Sequence, residues 1–206
     1  MPAEFTHKFL PGTLAATVLV LHGAGGDEHD LVPVARALAP GAAFLSPRGK
    51  VVQDGARRFF ARVSADVFDE AEVRARAAEL AEWVGTAVAQ HGLDASRICA
   101  MGFSNGANIA AAIMLLHPGV LAGALLLRPR TILELEEFPD LNGAPVLVIA
   151  GDHDEKMPAG SSEKLARQLG RAGAAVEMAM LDSGHELTPQ DFSLGKSWFA
   201  KVLSVE

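Results

Sequence analysis

The run ICAMGFSNGA, residues 98–107, decides how this chain is read. Its first part, Ile98-Cys99-Ala100-Met101, is short and unbrokenly apolar, as a strand covered on both faces must be. Gly102-Phe103-Ser104-Asn105-Gly106 follows at once, and an alanine-rich stretch over residues 107–116 reads as a helix. A turn of the form G-x-S-x-G carries chemical meaning when it joins a strand to a helix, and it does so here. The serine sits on the bend itself. A side chain two positions to either side would run into the neighbouring strand or the helix, so both positions require glycine. The bend lifts Ser104 Oγ to the C-terminal edge of a sheet and turns the first helical N–H groups toward it.

Working outward, apolar runs alternate with helical patterns from end to end. Strands are predicted over residues 17–21, 42–45, 97–101, 122–127, 146–150 and 176–181, with a weaker edge strand over 6–10. Between residues 70 and 90, Val73, Ala77, Leu80, Val84 and Val88 share one helical face, with Gly92 as a stop. Glu70–Arg74 and Glu72–Arg76 are spaced as i,i+4 ion pairs on the opposite face. Leu31, Val34, Ala35 and Leu38 form a shorter stripe, and Thr188-Pro189-Gln190-Asp191 opens a last helix with a cap, a proline and an acid. Such alternation implies an α/β domain, with a mostly parallel central sheet of about seven strands and helices on both faces. Residues 1–206 read as one domain. The connection over residues 46–69 is longer than a strand–helix join needs. It carries Arg48, Arg57, Arg58, Phe59, Phe60 and Phe68, and is the candidate wall of a substrate pocket.

Composition narrows the function classes. With 50% hydrophobic and 21% charged residues, the 206-residue chain is too apolar for disorder. A net charge of −7 excludes a general nucleic-acid binder, which needs a basic footprint. The single cysteine, Cys99, excludes an internal disulfide framework and a cysteine-rich zinc site, and reads as a core residue. No apolar run approaches the ~18 residues of a membrane span. The first ten residues lack a basic-then-apolar leader, so a cytoplasmic location is expected. With no tyrosine, any mechanism using a tyrosine acid or nucleophile is ruled out.

A serine hydroxyl needs a base to take its proton. On this architecture the partners follow in the order serine, acid, histidine. Gly151-Asp152-His153-Asp154 follows one predicted strand and Asp182-Ser183-Gly184-His185 follows the next, both at the sheet edge that carries Ser104. His185 is the expected base, held by the carboxylate of Asp152 or Asp154. His91 and His117 read instead as helix ends. An oxyanion would take the backbone N–H of Asn105 and, from the loop Leu21-His22-Gly23-Ala24-Gly25-Gly26, that of Ala24. A dinucleotide fingerprint in that loop fails at Glu28, and Gly195-Lys196-Ser197 lacks the glycine a phosphate loop needs at Gln190. A metal site from Asp152, His153 and Asp154 with His22 or His29 lacks a ligand-type spacing, so no metal is expected. Phe59, Phe60 and Met157 are candidates for the substrate pocket or for ordinary core. Arg57 and Arg58 are candidates for an anionic substrate group or a solvated loop.

Taken together, LHGAGGDEHD (residues 21–30), SPRG (46–49), GFSNGA (102–107), GDHD and SGH resemble the α/β-hydrolases. More narrowly, they are similar to the small phospholipase/carboxylesterase group that includes acyl-protein thioesterases. SPRG followed by RFF and VFDE resembles its bacterial hydroquinone-linked hydrolase subgroup. The resemblance implies an α/β-hydrolase fold without a large cap domain. It also implies a Ser104–Asp154–His185 triad, with Asp154 at the last position of Gly-x-x-Asp, and an oxyanion hole of Ala24 and Asn105. No cofactor, a small-molecule ester substrate and a homodimer are further implications. Arg128-Pro129-Arg130 stands where a more apolar segment is expected, and so bears on the pocket rim. The function expected is a serine carboxylesterase working through an acyl-serine. The alternatives are a thioesterase or acyltransferase on the same triad, or a non-catalytic ligand-binding protein on the same fold.

Overall fold

A computed structural model describes residues 4–64 and 67–203. Residues 65 and 66 of the long connection, and the ends of the one-domain reading, lie outside the described residues. The elements run β1 (His7–Leu10), β2 (Thr17–Leu21), α1 (Val32–Leu38), β3 (Ala43–Pro47), β4 (Val51–Gln53), β5 (Ala56–Arg58) and α2 (Glu70–His91). There follow β6 (Ile98–Phe103), α3 (Asn105–Leu116), β7 (Gly123–Leu127), β8 (Pro145–Gly151), α4 (Ser161–Arg171), β9 (Ala175–Leu181) and α5 (Pro189–Val202).

Seven strands form one sheet in the order β1-β3-β2-β6-β7-β8-β9, parallel except for β1, which runs antiparallel to β3. Alternate side chains of each central strand enter opposite cores. Leu19, Leu21, Ile98 and Ala100 pack under α2, α3 and α4, whereas Val18, Val20, Cys99 and Met101 pack under α1 and α5. Strand β6 lies between β2 and β7, pairing Leu21 with Gly102 and Phe103 with Leu127. Its C-terminal end therefore emerges at the middle of the sheet edge.

Helix α2 follows its predicted stripe and stops at Gly92, whose φ of 64° is left-handed. Glu70 pairs with Arg74 at 3.7 Å, but Arg76 turns to Glu79 at 2.6 Å and Glu72 accepts from the Ala61 N–H. At the other edge, β9 is less covered than its apolar sequence suggests, with Met178 and Met180 37% and 44% exposed. The long connection contains the hairpin β4–β5. Its two-residue turn, Asp54-Gly55, has both φ angles positive (53° and 74°), the type I′ geometry that matches strand twist.

Candidate active site

Ser104 stands between the end of β6 and the start of α3 with φ 52° and ψ −113°, a strained conformation for a residue with a side chain. The bend is held by the Ser104 N–H donating to Leu127 O at 2.9 Å and by Asn108 N–H donating to Ser104 O at 3.0 Å. Space dictates the flanking residues. A Cβ on Gly106 would lie 2.0 Å from Leu21 O, and one on Gly102 would lie 2.5 Å from Gly106 O. Helix α3 thus packs directly on the end of β2. Its first N–H groups, Asn105 among them, have no acceptor within the helix.

The loops after β8 and β9 touch at Gly151, where a Cβ would lie 2.4 Å from both Ser183 O and Gly184 O. That approach brings the two predicted partners together. His185 Nδ1–H donates to Asp154 Oδ2 at 2.7 Å, and the buried Asp154 takes the Lys156 N–H on Oδ1 at 3.0 Å. With Nδ1 so engaged, Nε2 is the nitrogen left to exchange a proton. The imidazole lies against the Phe103 ring, centroids 5.0 Å apart. Asp152 instead accepts the Ser183 N–H at 3.2 Å and organises the turn.

The loop carrying Ala24 is braced from three sides. His22 Nδ1–H donates to Gly23 O at 2.7 Å, and Gly49 N–H donates to His22 Nε2 at 2.9 Å, an arrangement that requires a neutral ring. Burial lowers the His22 pKa in the same sense. Arg48 grips both carboxylate oxygens of Glu28, Nη2 to Oε1 at 2.5 Å, and this hydrogen bonding holds the Glu28 pKa down to about 2. Gly25 N–H donates to Arg57 O at 2.8 Å. Sequence position alone does not reveal that the two motif loops, LHGAGGDEHD and SPRG, clamp each other. The Asn105 side chain adds a further clip, accepting the Phe59 N–H at 2.7 Å.

A cavity of about 510 Å³ is lined by Ala24, Ser104, Asn105 and His185 together, and Met157 contributes to its wall. Phe59 and Phe60 do not line it. They are 3% and 0% exposed and belong to the hydrophobic core, because Asn105 draws their backbone inward. Phe68 and Phe103 supply the aromatic wall instead. Of the arginines left open, Arg58 and Arg130 line the cavity, whereas the Arg57 side chain is exposed.

Arg128 is the residue whose part the sequence does not reveal. It is completely buried, with φ 51°. Its guanidinium donates to Gly184 O at 3.0 Å, Glu186 O at 2.8 Å and Ser183 Oγ at 3.2 Å, gripping the chain on both sides of His185. Two further bonds reach Asp191 in the first turn of α5. The available signal was a basic residue ending a buried strand together with an acid at the start of the last helix.

The other candidates fall outside this constellation. Cys99 is buried in the core, which pushes its thiol pKa up to about 11. Asp152, His153 and Asp182 lie together but exposed, while His22 is committed to the Ala24 loop. Among the described residues no helix is long and apolar enough to cross a membrane.

Comparison with known proteins agrees with this architecture. Residues 12–203 match the phospholipase/carboxylesterase family. The chain is 38% identical over 197 residues to the putative hydrolase MhqD of Bacillus subtilis strain 168, covering 96% of this chain and 98% of that one. A Bacillus cereus carboxylesterase superposes with TM-score 0.92 at 36% identity, over 95% of this chain and 93% of that one. A Mesorhizobium loti carboxylesterase does so with TM-score 0.85 at 35% identity, over 92% and 90%. Sequence and fold agree over nearly the whole chain, which therefore belongs to the phospholipase/carboxylesterase family of α/β-hydrolases.

Proposed function

We propose that the protein is a serine carboxylesterase that cleaves small carboxylic esters through an acyl-serine intermediate. One observation carries the reading: the 2.7 Å Asp154–His185 bond lies at a cavity that also exposes Ser104, on its strained bend, and Ala24. His185 Nε2 takes the Ser104 hydroxyl proton as Oγ attacks the acyl carbon. The carbonyl oxygen gains the negative charge and is stabilised by the backbone N–H groups of Ala24 and Asn105, fixed beforehand by their braced loop and helix. Collapse of the tetrahedral species breaks the bond to the alcohol, which leaves with the proton from His185. Water, deprotonated by the same nitrogen, then attacks the acyl-serine. The carboxylic acid departs and Oγ regains its proton. Asp154 holds the Nδ1–H tautomer and stabilises the imidazolium in both halves.

The test is turnover of 4-nitrophenyl butyrate. Ser104→Ala is expected to lower kcat by as much as ~10⁶-fold if the three residues act as a unit. Asp154→Asn should cost about 10⁴-fold, through the wrong tautomer, and Asp152→Asn far less. Wild-type-like turnover in Ser104→Ala would refute the proposal, and the reverse order of the two aspartate variants would exchange their roles.

A further inference from the structure

The cavity that holds Ser104 and His185 is also lined by Arg58, Arg62, Arg130 and Lys156, and among the described residues that line it Glu155 is the carboxylate. That concentration of positive charge stands out in a chain of net charge −7. Nearby guanidinium groups are matched: Arg48 by Glu28 and Arg128 by Asp191. Arg58 and Arg62 have no carboxylate within ion-pair distance among the described residues. Arg58 Nε is buried and has no hydrogen-bond acceptor among the described residues. Such donors are rare in folded proteins and call for an explanation. Burial first, and then the charge of Arg62, lower the Arg58 guanidinium pKa, against a smaller opposing pull from Asp54.

The platform beneath these groups is built rather than loose. Arg58 ends the hairpin strand β5 in register with Val51. The Arg62 backbone is tied to the Gln53 amide in both directions, N–H to Oε1 at 3.1 Å and O from Nε2 at 2.8 Å. Arg130 lies over the Phe68 ring at 5.0 Å, and Phe68 lines the same cavity. Guanidinium forks match the two oxygens of a carboxylate, and an anion between Arg58 and Arg62 would relieve their repulsion and satisfy the buried donor.

We infer that this wall binds a carboxylate carried by the substrate, so that the preferred esters are anionic. The inference rests on the serine-esterase reading of Ser104 and names the class of ester. The carboxylate could be borne by the acyl part or the alcohol part, and matched substrate pairs separate the two. One pair is the 4-nitrophenyl hemiester of adipate with 4-nitrophenyl hexanoate. The other is 4-acetoxyphenylacetic acid with its primary amide. The readout is the ratio of kcat/KM within each pair, which a general loss of activity does not move.

At low salt the anionic member is expected to be favoured about tenfold or more in at least one pair, with the preference shrinking as salt screens the charges. The double variant R58Q/R62Q should bring that ratio toward one, and R58K/R62K should retain part of it. A flat or inverted ratio in both wild-type pairs, or a preference that survives in R58Q/R62Q, overturns the inference. If the neutral esters are still cleaved in a Ser104-dependent way, the esterase reading stands without it. Should no ester be cleaved, the esterase reading falls, and adipate titrated by calorimetry decides the anion site by itself. Binding to wild type that vanishes in R58Q/R62Q sustains it, and no binding to wild type overturns it.

Discussion

Arg128 and Asp191, 63 residues apart in the chain, form a two-pronged ion pair with Nη1–Oδ1 at 2.6 Å and Nη2–Oδ2 at 2.9 Å. Both side chains are shut off from solvent, at 0% and 2% exposure. Asp191 also accepts the Thr188 N–H at 2.7 Å, so one carboxylate both caps α5 and anchors the arginine that grips the His185 loop. The pair fastens the end of β7, the loop after β9 and the start of α5 to one another.

Removing one partner leaves the other charged and buried. Arg128→Met is expected to destabilise the fold by about 3–5 kcal/mol, measured from urea midpoints, and to lower kcat more than it raises KM as the His185 loop loosens. The double variant Arg128→Met/Asp191→Leu should recover a large part of that stability, because it buries no lone charge. An unchanged urea midpoint in Arg128→Met would show that the pair does not anchor the loop.

Two glycine-to-alanine changes separate a steric requirement from a helix preference. Gly106→Ala places a methyl group 2.0 Å from a main-chain oxygen of β2, and soluble folded protein should be lost or the thermal midpoint sharply lowered. Gly85 lies on the exposed face of α2, and a methyl group added there would meet nothing within 4 Å, so Gly85→Ala should stabilise by roughly 0.5–1 kcal/mol. Differential scanning calorimetry of the two variants checks both signs.

His22 makes stability depend on pH in a definite direction. Burial holds its native pKa below the ordinary 6.5, so between those two values the unfolded chain binds more protons than the native one. The stabilisation is therefore complete above about pH 6.5 and declines as pH falls toward the lowered native value. Protonation also ends the acceptor role of Nε2 toward Gly49 N–H. Urea midpoints at pH 7.5 and 5.5 should fall more steeply for wild type than for His22→Gln; parallel falls would assign the pH dependence to other groups.

Local rules made much of this fold readable. Strand β2 coincides with its apolar run over residues 17–21, since it is covered on both faces. The bend at Ser104 was legible because glycine is the only residue that fits beside β2 at Gly106. Chain order pointed to His185 and to Asp152 or Asp154, the family resemblance favoured Asp154, and the closeness of the two loops depends on Gly151. What escaped depends on pairings distant in sequence. The sequence left Phe59 and Phe60 open between pocket and core, and the Asn105 side chain, 46 and 45 residues away, ties their backbone into the core. Arg128 looked like a rim residue because Asp191 becomes its neighbour only after folding. The β4–β5 hairpin did carry a local signal, Asp54-Gly55, but its strands of three residues are too short to show periodicity.

The central claim is that Ser104 Oγ is the nucleophile, and intact-mass spectrometry tests it most directly. After exposure to a fluorophosphonate, peptide mapping should place one adduct on Ser104, formed rapidly in wild type, slowly in His185→Ala and not at all in Ser104→Ala. An unlabelled Ser104 in protein that still hydrolyses esters would contradict the claim.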